Sequence, residues 1–424
     1  MLNRKQSPSI VDAVHYNLEL KPYSYHKLDN GVEVYAIDGG AEEVLQIEWV
    51  YFAGNSYEDQ NLVAATVNFL LRNGTSKKTA FQINEQVEYF GAYLNRSCFN
   101  EQAVVSLHCL TKHIDQLLPI VRELVTDAVM PEDELQLYKQ NMKQRLSVNL
   151  RKCDFVAGRL IDTYLFGNDH PYGKFSSPEA FDALERETLL KFYDRYYKQG
   201  KLMLFVAGKI PADLIPKLNN YFGDLPNGSV QLPTTPLLPA TEKKYRIQND
   251  PDGVQGAIRI ARNFPNRHHP DFIPAQVLNT VFGGFFGSRL MSNIREDKGY
   301  TYGIHSYLLN LQQESAWMIS TEAGKDVCED AIREVYLEME DLRNNLIPED
   351  EMMLVRNYMI GGILGDLDGP FQLMARWKNL ILNGLTQDYF YQTIDTIKHC
   401  SSEELRTLAN KYLCADDFCE LVVI

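Results

Sequence analysis

Met130-Pro131-Glu132-Asp133-Glu134-Leu135 returns 217 residues later as Ile347-Pro348-Glu349-Asp350-Glu351-Met352. The context repeats with it. Each copy follows an amphipathic helical stretch, Ile114 to Val125 and Val327 to Leu342, and each leads into another helical stretch. Further upstream, Gly91-Ala92-Tyr93 through Ser97 occupies the same setting as Tyr300-Thr301-Tyr302 through Ser306, at an offset of 209. Offsets that drift only by loop-sized insertions mark two related halves of one chain.

Working outward, residues alternate in Val32 to Ile37 and Leu45 to Phe52, which predicts strands, while Asn61 to Asn73 and Ala80 to Phe90 read as helices. Strand signals return at Ala103 to Cys109 and Leu202 to Ala207, with long helices between Glu132 and Tyr197. In the second half, strands are expected near Gly256 to Arg262, Tyr302 to Leu309 and Ala316 to Thr321, with helices from Pro270 onward. Between the halves, Pro226 to Thr241 holds Pro226, Gly228, Pro233, Pro236 and Pro239 and almost no charge, the composition of an extended, semi-rigid linker. The expected organisation is a domain over 1–225, a linker over 226–241 and a second domain over 242–424.

A chain of 424 residues exceeds one ordinary core, and 45% hydrophobic with 23% charged residues is a globular composition. The formal net charge of −14 excludes nucleic acid as the expected partner, because phosphate neutralisation needs clustered Lys and Arg. That charge fits either a solvated acidic surface or an acidic chamber that draws in basic peptides. Seven widely spaced cysteines without a Cys-x-x-Cys pair fit buried thiols in a reducing compartment. Met1 to Leu20 has no uninterrupted apolar core of a signal peptide, and no run reaches the length of a membrane span. The expected location is cytoplasmic, with no membrane partner.

Two stretches carry chemistry. The first is Asn68-Phe69-Leu70-Leu71-Arg72, then Asn73-Gly74-Thr75, within Val50 to Thr75, with His170-Pro171-Tyr172-Gly173 downstream. The second, the most specific in the sequence, is Gly283-Gly284-Phe285-Phe286-Gly287-Ser288-Arg289-Leu290, followed by Ile294-Arg295-Glu296-Asp297-Lys298-Gly299-Tyr300-Thr301-Tyr302. Together they resemble the insulinase-like (pitrilysin-type, inverzincin) zinc metallopeptidases, the family of mitochondrial processing peptidase, over nearly the whole chain. The resemblance implies an α+β fold of two homologous domains, each an antiparallel-rich sheet covered by helices, facing each other around a chamber.

Active members carry His-x-x-Glu-His on a helix, where two imidazoles one turn apart hold zinc and the Glu activates the bound water. Here those positions read Asn68, Leu71 and Arg72. A guanidinium has no lone pair to give and stays charged, so it repels a cation. Active relatives supply a third ligand, a Glu, from a helix about 70 residues downstream; Leu135 to Cys153 contains no Asp or Glu. Among the nine histidines, His108 with His113 and His268 with His269 have no convincing metal spacing. No metal and no other cofactor is expected in this chain.

In active relatives an Arg and a Tyr seven residues apart hold the substrate backbone and help stabilise the developing oxyanion. Arg295 and Tyr302 have that spacing. The other reading is structural: Arg295 pairs with Glu296 or Asp297, and Tyr302 is a half-buried strand residue. The glycines Gly283, Gly284 and Gly287 match no phosphate-binding pattern; they serve either tight packing or contact with a peptide. The resemblance thus implies a chain that is not a peptidase alone. The leading expectation is the non-zinc subunit of a heterodimer, which binds unfolded peptide at a sheet edge and donates Arg295 and Tyr302 to a homologous partner that holds the zinc. The alternatives are a non-hydrolytic peptide-binding homodimer and a structural scaffold subunit, such as the core subunits of the respiratory cytochrome complex.

Overall fold

The computed structural model describes residues 11–424. The chain divides into two compact units. The N-terminal unit comprises 22–241 together with Gly369–Asn379; the C-terminal unit comprises Glu242–Asp368 and Leu380–Ile424 together with residues 11–21. The Pro-rich stretch belongs to the N-terminal unit, where Leu238 and Ala240 donate their N–H groups to the Phe166 and Tyr164 carbonyls at 3.2 and 2.8 Å. Two short segments therefore depart from a simple halving at the linker. One of them, residues 11–21, lies against helices of the C-terminal unit: the Val14 N–H donates to Asn357 Oδ1 at 3.2 Å, and Lys398 Nζ to the Tyr16 carbonyl at 3.1 Å.

In the N-terminal unit, β1 (Ser24–Lys27), β2 (Glu33–Asp38), β3 (Val44–Tyr51), β4 (Tyr93–Cys98), β5 (Ala103–Leu110) and β6 (Leu202–Gly208) form one sheet in the order β1-β2-β6-β3-β5-β4. Only β2 and β6 pair in parallel. Its helices are α1 (Val63–Leu70), α2 (Ala80–Tyr89), α3 (Ile114–Asp127), α4 (Glu132–Asn149), α5 (Cys153–Phe166), α6 (Pro178–Asp182), α7 (Arg186–Tyr193) and α8 (Leu214–Phe222). Alternation along β3 sends Leu45, Ile47, Trp49 and Tyr51 into the main core. Every residue of β6 is buried, as suits a central strand covered on both faces. On the second face, Lys378 meets Glu48 at 2.5 Å, and Trp377 packs edge-on to Tyr23 at 4.7 Å.

The C-terminal unit repeats the plan one strand short. Its strands β7 (Lys244–Ile247), β8 (Gln255–Phe264), β9 (Thr301–Asn310), β10 (Ser315–Gly324) and β11 (Cys419–Val423) take the order β7-β11-β8-β10-β9, again with one parallel pair, β7 with β11. Its helices are α9 (Phe272–Asn279), α10 (Cys328–Asn344), α11 (Glu349–Gly365), α12 (Pro370–Leu382, whose first part belongs to the other unit), α13 (Gln387–His399) and α14 (Ser402–Tyr412). β4 and β9 are thus the corresponding outer strands of the two sheets.

The repeated hexapeptide is a helix start in both units. Pro131 and Pro348 occupy the N-cap of α4 and α11 with nearly the same backbone angles, φ −55° and −59°. Three acidic residues follow in each first turn, where the helix dipole favours negative charge. Met130 with Leu135, and Ile347 with Met352, are buried at the two positions of a hydrophobic staple. No helix among the described residues is long and apolar enough to cross a membrane.

Candidate functional site

Helix α1 carries Asn68 and leads into Leu71 and Arg72, and a buried carboxylate starts it. Glu58 accepts from the Leu62 N–H at 3.0 Å and the Ala64 N–H at 2.8 Å, serving as a cap for a helix whose N-cap residue, Leu62, has φ +74°. Burial pushes the Glu58 pKa up to about 7, against the pull of those N–H groups and of Lys174.

The three motif positions have become structural. Asn68 is buried and donates from Nδ2 to the Tyr197 hydroxyl at 3.1 Å. Leu71 is fully buried in the main core. Arg72 turns to β4, where Nη1 donates to the Leu94 carbonyl at 2.9 Å. Arg96 of β4 makes the reciprocal contact, donating from Nη1 to the Phe69 carbonyl, and lies over the Phe69 ring at 5.1 Å. Two guanidiniums thus lace the end of α1 to the outer strand. Burial first, and Arg72 second, lower the Arg96 pKa to about 10.

Helix α4, further along the chain, offers apolar surface here: Tyr138 packs on Phe69 at 4.7 Å between ring centroids. An amide, an alkyl group and two guanidiniums offer no lone-pair set for zinc, so these residues do not fit that ion. Among the described residues no group of three or more His, Cys, Asp or Glu side chains gathers as metal ligands. His170 is a corner residue: it is buried, its Nδ1 accepts from the Tyr172 N–H at 3.1 Å, and burial lowers its pKa.

The C-terminal unit presents the second stretch. Gly283 sits in a π-helical turn, Thr280–Gly284, pressed against β9; a Cβ there would lie 2.7 Å from Ser306 Cβ and 2.8 Å from Leu290 Cδ1. That close approach supports packing as its role. A Cβ on Gly284 would meet the Asn279 carbonyl oxygen at 3.2 Å, and one on Gly287 the Phe285 ring at 2.8 Å. Arg289 anchors the turn through Asp341 at 2.5 Å and Glu351 at 2.9 Å. Arg295 lies in a second π-helical turn, Met291–Asp297, stacked over the exposed Phe286 ring at 4.6 Å and 3.6 Å from Glu296.

The backbone decides where Tyr302 points. Ile304 pairs with Thr321 and Thr301 with Ala323, so Tyr302 and Gly303 together oppose the single residue Glu322. This β-bulge breaks the alternation that would carry Tyr302 inward with Ile304 and Ser306, and the ring is 92% exposed. Tyr302 is therefore not a half-buried strand residue. Below it, Ser306 fixes the strand: its hydroxyl donates to Asn279 Oδ1 at 2.6 Å and accepts from Trp317 Nε1 at 2.9 Å.

Asn68, Leu71 and Arg72 belong to the N-terminal unit, and Arg295, Tyr302 and the glycines to the C-terminal unit. Arg96, Phe69 and Glu58 were not singled out in the sequence. The one signal for the outer strand was the repeat that set Tyr93 against Tyr302.

A family model described as the peptidase M16 inactive domain matches residues 183–359. An uncharacterised zinc protease of Rickettsia felis is 23% identical over 351 residues, covering 81% of this chain and 83% of that protein. The chain is similar to M16 peptidases over those spans. The chain is also 24% identical over 263 residues to the mitochondrial-processing peptidase subunit beta of Caenorhabditis elegans, covering 58% of this chain and 56% of that one. A crystal structure of a peptidase M16 inactive domain from Pseudomonas fluorescens superposes with a TM-score of 0.85 at 20% identity, covering 95% of this chain and 98% of that one. No His-x-x-Glu-His occurs in its sequence.

Proposed function

We propose that this chain is the non-zinc subunit of a heterodimeric peptidase: it binds an unfolded peptide and supplies Arg295 and Tyr302 to the zinc site of a homologous partner. The observation that carries this reading is the bulge that turns Tyr302 out to 92% exposure, in a chain whose own motif positions hold no metal ligand. An exposed phenol adds almost nothing to stability, so its presentation is better explained by something it meets. Arg295 is also partly exposed, and its nearest carboxylate, Glu296, is half-exposed at 3.6 Å, so that pair contributes little. A guanidinium and a phenol can both donate to a peptide carbonyl whose oxygen gains charge during hydrolysis, and losing one such donor costs about a hundredfold or more in rate. The outer strands β4 and β9 are the sheet edges to which an extended peptide would add a strand.

The test is co-purification of the tagged chain from its native source, followed by a chelator-sensitive cleavage assay on an unstructured peptide. The expected result is a co-eluting homologue with an intact His-x-x-Glu-His and activity that collapses when Arg295→Ala and Tyr302→Phe are combined in this chain. Unchanged activity in that double variant eliminates the donated-site mechanism. Elution of this chain alone and inert supports the homodimeric peptide-binding or scaffold readings.

A further inference from the structure

The residues that replaced the zinc motif have reversed the sign of the site. Arg96 is largely desolvated, yet its bonded nitrogen, Nη1, donates only to neutral acceptors, the Phe69 carbonyl and, at 3.4 Å, Asn73 Oδ1. No carboxylate pairs with it among the described residues. Arg72, the second guanidinium, has Glu88 at 3.8 Å, but that carboxylate is 72% exposed and screened. The Arg72 Nε–H is buried without a partner. The other nearby carboxylate, Glu134, is held by Asn73 Nδ2 at 2.7 Å. Two guanidiniums packed together on neutral oxygens are costly, and an anion that shares both would remove much of that cost.

The surroundings suit a peptide. Phe69 exposes aromatic surface beside Arg96. Because Arg72 holds the Leu94 carbonyl, a strand added along β4 would run close to the guanidiniums. We propose that Arg72 and Arg96 form a carboxylate seat at the end of β4, and that the ligand is a carboxylate of an extended peptide. This deepens the peptide-binding part of the reading above and rests on it for the class of ligand. The α-carboxylate and an Asp or Glu side chain share the required chemistry.

Three fluorescent peptides of one unstructured sequence would be titrated into the full chain: free C-terminal carboxylate, C-terminal amide, and the amide with one internal Glu. The neutral amide should bind about tenfold or more weakly than the carboxylate form, the scale of a charge-assisted fork. The third peptide tells whether a side chain serves equally. R96Q and R72Q should each abolish the difference, and R96K, which keeps the charge but not the fork, should restore only part of it. Equal binding of all three overturns the seat while leaving peptide binding intact.

A peptide-independent arm compares the melting temperature in acetate and in chloride at matched ionic strength, since an ion that binds only the folded chain raises it. A rise in the wild type that R96Q lacks, with no peptide bound at all, keeps the seat and removes the peptide reading. No rise and no binding remove both.

Discussion

Glu58→Gln isolates the group that starts α1. The Glu58 carboxyl is buried and its pKa stands near 7, with desolvation as the larger cause and the Leu62 and Ala64 N–H groups opposing it. In the unfolded chain a glutamate titrates near 4.3. The folded value is the higher one, so between about pH 4.5 and 7 the folded chain holds a proton that the unfolded chain has released. The stability from this proton is complete below the unfolded pKa and is lost as pH rises through 7. The slope in that window is about 1.4 kcal/mol per pH unit, and the whole effect is on the order of 3 kcal/mol. Gln does not titrate and keeps an acceptor oxygen for one of the two N–H groups, which meet separate carboxylate oxygens; the lost bond is a pH-independent offset. Urea unfolding of both proteins at pH 5, 6, 7 and 8 gives the difference, in which all other titrating groups cancel. Two units need not unfold together, so hydrogen exchange of the α1 amides supplies a local readout. The wild type should gain about 3 kcal/mol relative to E58Q between pH 8 and pH 5. A difference that stays constant over that range refutes the reasoning and means that the helix N–H groups keep Glu58 ionised.

Leu71→Ala removes a fully buried side chain from the main core and should destabilise the N-terminal unit by about 2–5 kcal/mol, read from the urea midpoint. The triple change Asn68→His, Leu71→Glu and Arg72→His rewrites the motif but should not give one tightly held zinc per chain after dialysis, as read by metal analysis. Residues 135–153 still supply no carboxylate, and Arg96 still places a cation at the site. Stoichiometric zinc in that variant would show that a third ligand comes from elsewhere.

Much of the plan was legible because the strongest strands are half or fully buried. β3 alternates, and β6 is a continuous apolar run, so both announce themselves in the sequence. The strands that periodicity missed are β1, β4, β7 and β11. β4 reads Tyr93-Leu94-Asn95-Arg96-Ser97-Cys98, and only Leu94 is buried, so an outer strand with one neighbour leaves almost no apolar pattern. That Asn68, Leu71 and Arg72 offer no ligand set for zinc was legible residue by residue. The Arg72–Arg96 clasp was not, because its second member lies 24 positions away on that unrecognised strand. Nor was the outward turn of Tyr302, since a bulge is a property of two strands in register and not of one.

The two related edges are built differently. β4 pairs with β5 without interruption from Tyr93–His108 to Cys98–Ala103, and the residues that replaced the motif beside it all bond or pack within the chain. Asn68 holds a tyrosine, Leu71 fills core, and Arg72 clamps a strand, so each change has a local structural return. β9 keeps a bulge that gives up regular pairing, a tyrosine with almost no contacts, and beside it an arginine laid over an exposed ring. At the first edge, burial and hydrogen bonding explain Asn68 and Leu71 without reference to any partner and leave the Arg72–Arg96 pair short of an anion. They do not explain the second, because removing the Tyr302 ring would expose no core and break no hydrogen bond described for it. A feature that folding does not need is the place to look for a partner, and this one lies on the C-terminal unit, while the N-terminal motif has been turned into structure.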